Sequence, residues 1–301
     1  MEKAVRRLDR SVLEETYSGR GSPAYRPDIM LRLAVYETMR GVGSPSRWAS
    51  DAEDRKSLHW LLRGLEPSVR ACYRFRDRLG EVVEEILQEI IKDATQEGLL
   101  ENPEVVAQDG SFHRACASRH RLVNQDQLSK RRSQLEECMQ AEPAGNQPPP
   151  GAPYWMPSTP IGRADLLSRM EKVQQVLEER LEKNARRRKS HRLEAKHVCV
   201  SLSDPEAPIG RDKEKVFCPL YTAQYMTDYR SGLVLGFEVT ATATDVGTLI
   251  PMIDKIQPLV GGAIKRVCTD ATYATVLELA ECQERNIDLI ALILNQANVS
   301  R

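Results

Sequence analysis

Two short stretches hold the residue types best suited to chemistry. Val105-Val106-Ala107-Gln108-Asp109-Gly110-Ser111-Phe112 is an apolar run that climbs to a carboxylate and breaks on a glycine. Ile264-Lys265-Arg266-Val267-Cys268-Thr269-Asp270 is a second run that ends on a carboxylate. Strand-type residues dominate both, so the reading is two strands, each ending on an acid. Acids at the ends of neighbouring strands converge on a rigid backbone. Such a pair, Asp109 and Asp270, suits a hard divalent cation, Mg²⁺ or Mn²⁺, which takes oxygen ligands and keeps several waters. The chemistry would be phosphodiester cleavage and transfer, in which two ions about 4 Å apart hold the attacking and leaving oxygens. Gly110 would let a backbone or a phosphate approach closely. An acid at a strand end is also a common turn or cap residue, and spacing alone leaves both readings open.

Other constellations are weaker. His113, Cys116 and His120 could share one helical face, with His191, His197 and Cys199 downstream. No C-x-x-C or H-x-x-x-H pair backs a zinc site, so packed or exposed side chains are the preferred reading. Gly261-Gly262 lacks the following Lys-Ser/Thr of a phosphate loop. No Ser-His-Asp set can be argued.

The elements that must position the two acids come from the periodicity. The 301 residues suffice for one large domain or two modest ones. Residues 1–100 read as a helical N-terminal domain. A loop marked by Gly19, Gly21 and Pro23 leads to a helix opened by Pro27 and Asp28, followed by short pieces around Trp48 and His59-Trp60-Leu61-Leu62. Pro67-Ser68 opens another helix that carries Arg70, Arg74, Arg76 and Arg78, with Tyr73 and Phe75 between them. Residues 81–97 read as the next helix, ended by Gly98. The arginine run is either a helix that grips phosphates or a solvated face whose aromatics pack inward.

Residues 101–301 read as a mixed α/β core with a helical and Pro-rich insert at 114–196. Within the insert, 114–140 is helical and basic, and 141–160 is a proline-rich linker. Ile161 to about Lys189 is a long helix that would form a hairpin or short coiled coil. It runs out through Arg186, Arg187, Arg188 and Lys189. Residues 111–196 hold 17 basic and 10 acidic side chains, the one sizeable local bias in a chain whose 43 basic and 43 acidic residues cancel. DNA contact and a solvated helix end are both compatible with that bias. Beyond it come strands at His197–Leu202, Tyr221–Thr227 and Leu233–Thr240, a helix capped by Asp245, a strand at Ile264–Thr269, a helix at Val276–Arg285 and a strand at Ile287–Leu294. The seven scattered cysteines fit a reducing compartment, and no leader or membrane span is visible.

These pieces resemble a known family. Arg26-Pro27-Asp28-Ile29-Met30, Gly41-x-x-Ser44, Trp60-Leu61-Leu62 and Tyr73-Arg74-Phe75-Arg76 look like the helical N-terminal domain of a bacterial insertion-sequence transposase of the DDE type. Asp109-Gly110-Ser111 with Ala117-Ser118 resembles that family's first acid motif, and Asp270-Ala271-Thr272-Tyr273 its second. Ser203-Asp204-Pro205-Glu206-Ala207, Tyr221-Thr222-Ala223-Gln224 and Thr244-Asp245 are similar to its intervening motifs, in the same order. The resemblance implies a ribonuclease-H-like core, metal-dependent cleavage and strand transfer at the ends of a mobile element, and metal held by Asp109 and Asp270. The partner it implies is double-stranded DNA, bound by a homodimer in the cytoplasm at the nucleoid. Two departures stand out. The family's third acid lies on a helix beyond the last strand, and the sequence stops at Arg301, which suggests a truncated copy. Glu278, Glu281 and Glu284 read as a solvated face instead. Thr272 replaces the usual glycine, and a β-branched residue resists the angles glycine allows. The alternatives are a non-catalytic DNA-binding remnant and a metal-dependent host nuclease.

Overall fold

The computed structural model describes residues 25–141 and 151–292. The expected loop before residue 25, the linker prolines before Gly151 and the last residues of the expected final strand lie outside them. The fold is mixed α/β. The chain forms two compact units: one runs to Val106 and includes Thr227–Gly236 and Asp254–Lys265, and the other holds Ala107–Met226, Phe237–Ile253 and the chain from Arg266.

The first unit is led by helices α1 (Pro27–Met39), α2 (Pro45–Asp54), α3 (Lys56–Leu61) and α4 (Val69–Gln96). Pro27 and Pro45 stand in the first turns of α1 and α2, where a missing N–H costs nothing. Ile29, Met30, Leu33, Trp48, Ala52, Leu58, Leu62, Cys72, Phe75 and Val82 form its core. Trp48 Nε1 donates to the Val42 carbonyl at 2.6 Å, so the indole N–H is satisfied in that core. The buried Glu37 carboxylate accepts from Arg40 at 2.8 Å, and Arg40 also reaches Asp51 at 2.6 Å. Burial pushes the Glu37 carboxyl upward against the pull of Arg40, while the hydrogen bond from Arg40 holds Asp51 down.

The sequence predicts a break between residues 78 and 81. The structure has one 28-residue helix instead, with Gly80 inside it. A lone glycine costs a helix only about 1 kcal/mol, and Phe75, Val82 and Ile91, all buried, outweigh that. Ser68 caps the start, accepting from the Ala71 N–H at 3.3 Å, and Gly98 ends it at φ 71°.

The second unit holds most of a sheet. Its strands are β1 (Val105–Arg114), β4 (Ile209–Arg211), β5 (Phe217–Asp228), β6 (Val234–Thr240), β7 (Arg266–Asp270) and β8 (Asp288–Leu292), and its order is β4-β5-β1-β7-β8, with β6 also paired to β5. β4 runs antiparallel to β5 and β7 parallel to β8, so the sheet is mixed. β5 is buried along most of its twelve residues, as a central strand should be. Helices α7 (Leu249–Ile256) and α8 (Val276–Glu284) precede β7 and β8 respectively. The two-residue strands β2 (Leu122–Val123) and β3 (Val200–Ser201) form a small antiparallel ladder of their own. The strand predicted at His197–Leu202 thus shrinks to β3, with a 3₁₀ turn at Ala195–His197 before it.

The insert is a helical hairpin. α5 (Gln125–Gln140) starts later than the sequence suggests, at a capping box in which Asn124 and Gln127 exchange bonds. α6 (Pro160–Arg186) follows, capped by Thr159. Leu128, Leu135, Leu166, Met170, Val173 and Leu177 interlock between them, with Val123 and Val200 of the small ladder beneath. The tail of the proline-rich linker is packed, not free. Trp155 and Met156 lie on this core, and Arg131 stacks over the Trp155 ring at 5.6 Å.

Candidate functional site

Asp109 lies on β1 and Asp270 closes β7, and these strands are hydrogen-bonded neighbours in the sheet. Adjacent strands run about 5 Å apart. Both carboxylates are exposed. The expectation that Asp109 ends its strand does not hold, since β1 continues to Arg114. The glycine does not break the strand, because extended backbone suits any residue and pairing carries through it. Asp109 Oδ1 accepts from the Gly110 N–H at 2.8 Å. Asp270 makes no side-chain hydrogen bond or ion pair among the described residues. Neither acid has a Lys or Arg counter-charge there. Oxygen donors without a protein cation are the donor chemistry a hard divalent ion takes, so the pair fits one. Among the described residues no set of three His, Cys, Asp or Glu side chains is gathered for a metal.

Next to Asp109 along β1 lies a cluster that the sequence shows only as separate motifs. Gln108 and Gln224 are almost fully buried, on β1 and β5. Tyr273, three residues past Asp270, is 1% exposed. Its hydroxyl donates to Gln224 Oε1 at 2.6 Å, and Gln224 Nε2 donates to Asp245 Oδ1 at 2.7 Å. Gln108 Nε2 donates to Gln224 Oε1 at 3.1 Å and to Thr248 Oγ1 at 3.3 Å. Burial raises the Tyr273 hydroxyl well above the ordinary tyrosine range, and the charges of Asp245 and Asp109 push it the same way. It therefore stays a proton donor. A Cβ on Gly110 would stand 2.5 Å from Asp245 Oδ1, 2.8 Å from Gln224 Nε2 and 2.9 Å from the Tyr273 hydroxyl. Glycine is thus required here for space that the cluster fills, not for the approach of a backbone or a phosphate.

The structure alters other local readings. Asp245 does not cap α7; its carboxylate turns to Gln224, and Glu278 Oε1 accepts from Leu249 N at the start of that helix at 3.1 Å. Glu278 is buried, with its other oxygen accepting from Thr275 Oγ1, so it is not part of a solvated face. Glu281 pairs with Arg285 and Glu284 is exposed. Thr272 is exposed and is not among the residues with positive φ, so the β-branched side chain imposes no strain beside Asp270. The turn at Asp204-Pro205-Glu206-Ala207 is a structural device. Arg180 donates to the carbonyls of Cys199, Pro205 and Ala207 at 3.0 Å each, and Tyr221 donates to Asp204 at 2.8 Å.

The basic residues sort themselves. Arg70 and Arg74 are exposed, one turn apart on α4 and without an ion pair among the described residues. Arg76 pairs with Asp77 at 2.6 Å and stacks over Tyr73 at 5.1 Å, and Arg78 is half-buried and engaged. Of the two aromatics, Phe75 packs inward and Tyr73 does not. In the second unit, Arg186, Arg187, Arg188 and Lys189 are all exposed where α6 ends. Asn184 ties that turn closed through both the N–H and the carbonyl of Leu193, at 2.9 and 2.8 Å. Arg187, Arg188 and His191 line an open recess of about 470 Å³. His113, Cys116 and His120 are surface residues, and His113 lies on β1 instead of a helix.

Residues 2–78 match the family described as Transposase domain (DUF772). The match covers about a quarter of the chain and supports a transposase family for it. No curated protein and no solved structure matches. No helix among the described residues is long and apolar enough to cross a membrane.

Proposed function

We propose that the chain is a DDE-type transposase that cleaves and joins DNA at the ends of its own mobile element, with Asp109 and Asp270 as metal ligands. The observation that carries this is a pair of exposed carboxylates on neighbouring strands, neither with a counter-charge among the described residues, later in the sequence than a segment that matches a transposase domain. The mixed sheet, with α8 between the parallel strands β7 and β8, is compatible with a ribonuclease-H-like core.

Mg²⁺ or Mn²⁺ bound at the pair would supply Lewis-acid polarisation of the scissile phosphate and a more acidic water. Asp109 and Asp270 would hold it and neutralise it. The Gly110 N–H fixes one Asp109 oxygen and leaves the other for coordination. Arg70 and Arg74 on α4, and the Arg186–Lys189 turn, would hold backbone phosphates and set the register of the duplex without reading its sequence. A homodimer on double-stranded DNA would bring two element ends together.

A second reading is a DNA-end binder that does not cut. The lack of a three-ligand metal set among the described residues favours it. One assay separates the two. Mg²⁺- or Mn²⁺-dependent nicking of supercoiled DNA that disappears in Asp109→Ala and Asp270→Ala supports the transposase. Salt-sensitive DNA binding without nicking supports the binder. Nicking that survives both substitutions contradicts the acid pair.

A further inference from the structure

We infer that Tyr273 is a positioning residue for the acid pair, coupling the Asp109 strand to the turn after Asp270 through Gln224. This rests on the reading that the two acids share a cation. Tyr273 touches both acid-bearing segments, the Asp270 backbone through its N–H and the space beside Gly110 through its hydroxyl. Its backbone N–H donates to the Asp270 carbonyl at 3.2 Å, so it closes the turn that aims that side chain. Its hydroxyl donates at 2.6 Å to Gln224, whose amide meets Asp245 at 2.7 Å.

Those three side-chain ends occupy the space beside the Gly110 Cα, directly next to Asp109. The Tyr273 ring and hydroxyl are buried, and so are Gln108 and Gln224. A buried polar group without a partner costs free energy, so each bond in the set resists displacement of the others. A shift of the Asp270 turn would pull the hydroxyl from Gln224, and a shift of β1 at Gly110 would collide with the same atoms. The residues come from four places that lie far apart in sequence: β1, β5, the loop before α7, and the turn after β7. A cluster serving the core alone would have no need to sit against both acid-bearing segments. Metal ligands are commonly oriented by hydrogen-bonded partners one shell out; here the cluster holds the backbone segments that carry the ligands.

The test uses the full chain and Mn²⁺ as the probe. Free Mn²⁺ is counted by electron paramagnetic resonance, which needs no catalytic turnover. Wild type, Asp109→Asn, Tyr273→Phe and Gln224→Met are compared, with circular-dichroism melts alongside. Tyr273→Phe removes one oxygen, and Gln224→Met keeps volume while removing its three side-chain hydrogen bonds, with Tyr273, Gln108 and Asp245. The expected result is about tenfold weaker Mn²⁺ binding in Tyr273→Phe, with a cooperative melt retained. If Tyr273→Phe does not fold, Gln224→Met carries the same expectation. Unchanged Mn²⁺ affinity in the folded variant, with affinity lost in Asp109→Asn, overturns the positioning role alone. No Mn²⁺ binding by wild type, or equal binding by Asp109→Asn, overturns the acid-pair reading and the inference with it.

Discussion

A methyl group at Gly110 has no room beside Asp245, Gln224 and Tyr273. The presence of glycine beside Asp109 is visible in the sequence, but its cause is a contact with Gln224, Asp245 and Tyr273, residues more than a hundred positions away. No local pattern reports that. Gly110→Ala places a methyl group into atoms already held by hydrogen bonds. We expect a loss of about 1–3 kcal/mol in folding stability, the usual cost of overpacking, read from urea midpoints. An unchanged midpoint would mean the cluster yields freely. Tyr221 gives a pH prediction. Burial, with Asp204 accepting its hydrogen bond, pushes its hydroxyl up to about 12 from an ordinary 10. The unfolded chain therefore loses this proton first as pH rises, and the stabilisation is complete below pH 10 and lost between about 10 and 12. Melting temperatures should fall across that window, and fall less steeply in Tyr221→Phe. Parallel curves for the two proteins would refute the assignment.

At the scale of elements, strongly periodic segments were legible and short ones were not. The apolar runs of β7 and β8 and the spaced leucines of α6 announce themselves. The three residues of β4 and the two each of β2 and β3 carry no period to detect. α4 is one helix because packing on both sides of Gly80 overrides a weak local preference. The hairpin of α5 and α6 depends on side chains such as Met170, which is fully buried. Met170→Ala should cost about 2–5 kcal/mol; a change below 1 kcal/mol by denaturant titration would mean the hairpin core is loose. The basic face of α4 was legible as a run of four arginines, but of these only Arg70 and Arg74 are exposed without an ion pair among the described residues. If they contact phosphates, Arg70→Ala and Arg74→Ala should each lower the salt dependence of DNA binding by about 1 in log–log slope. The loss should be similar on any sequence. A slope that does not move would assign the pair to a solvated face.

For the whole molecule, two lines of observation meet. The amino-terminal segment matches a transposase domain, and the sheet brings two exposed carboxylates onto adjacent strands. The motifs picked out in the sequence prove to do different work. Asp204, Tyr221 and Arg180 hold a turn, Glu278 caps a helix, and Gln224, Asp245 and Tyr273 form the cluster beside Gly110. Asp109 and Asp270 are exposed, and neither pairs with a Lys or Arg among the described residues.

The most direct test is diffraction from crystals soaked in Mn²⁺, with data collected at the manganese edge. The account predicts an anomalous peak about 2.2 Å from a carboxylate oxygen of Asp109 and from one of Asp270, absent in Asp109→Ala crystals. Manganese bound elsewhere, or touching only one of the two acids, would contradict it.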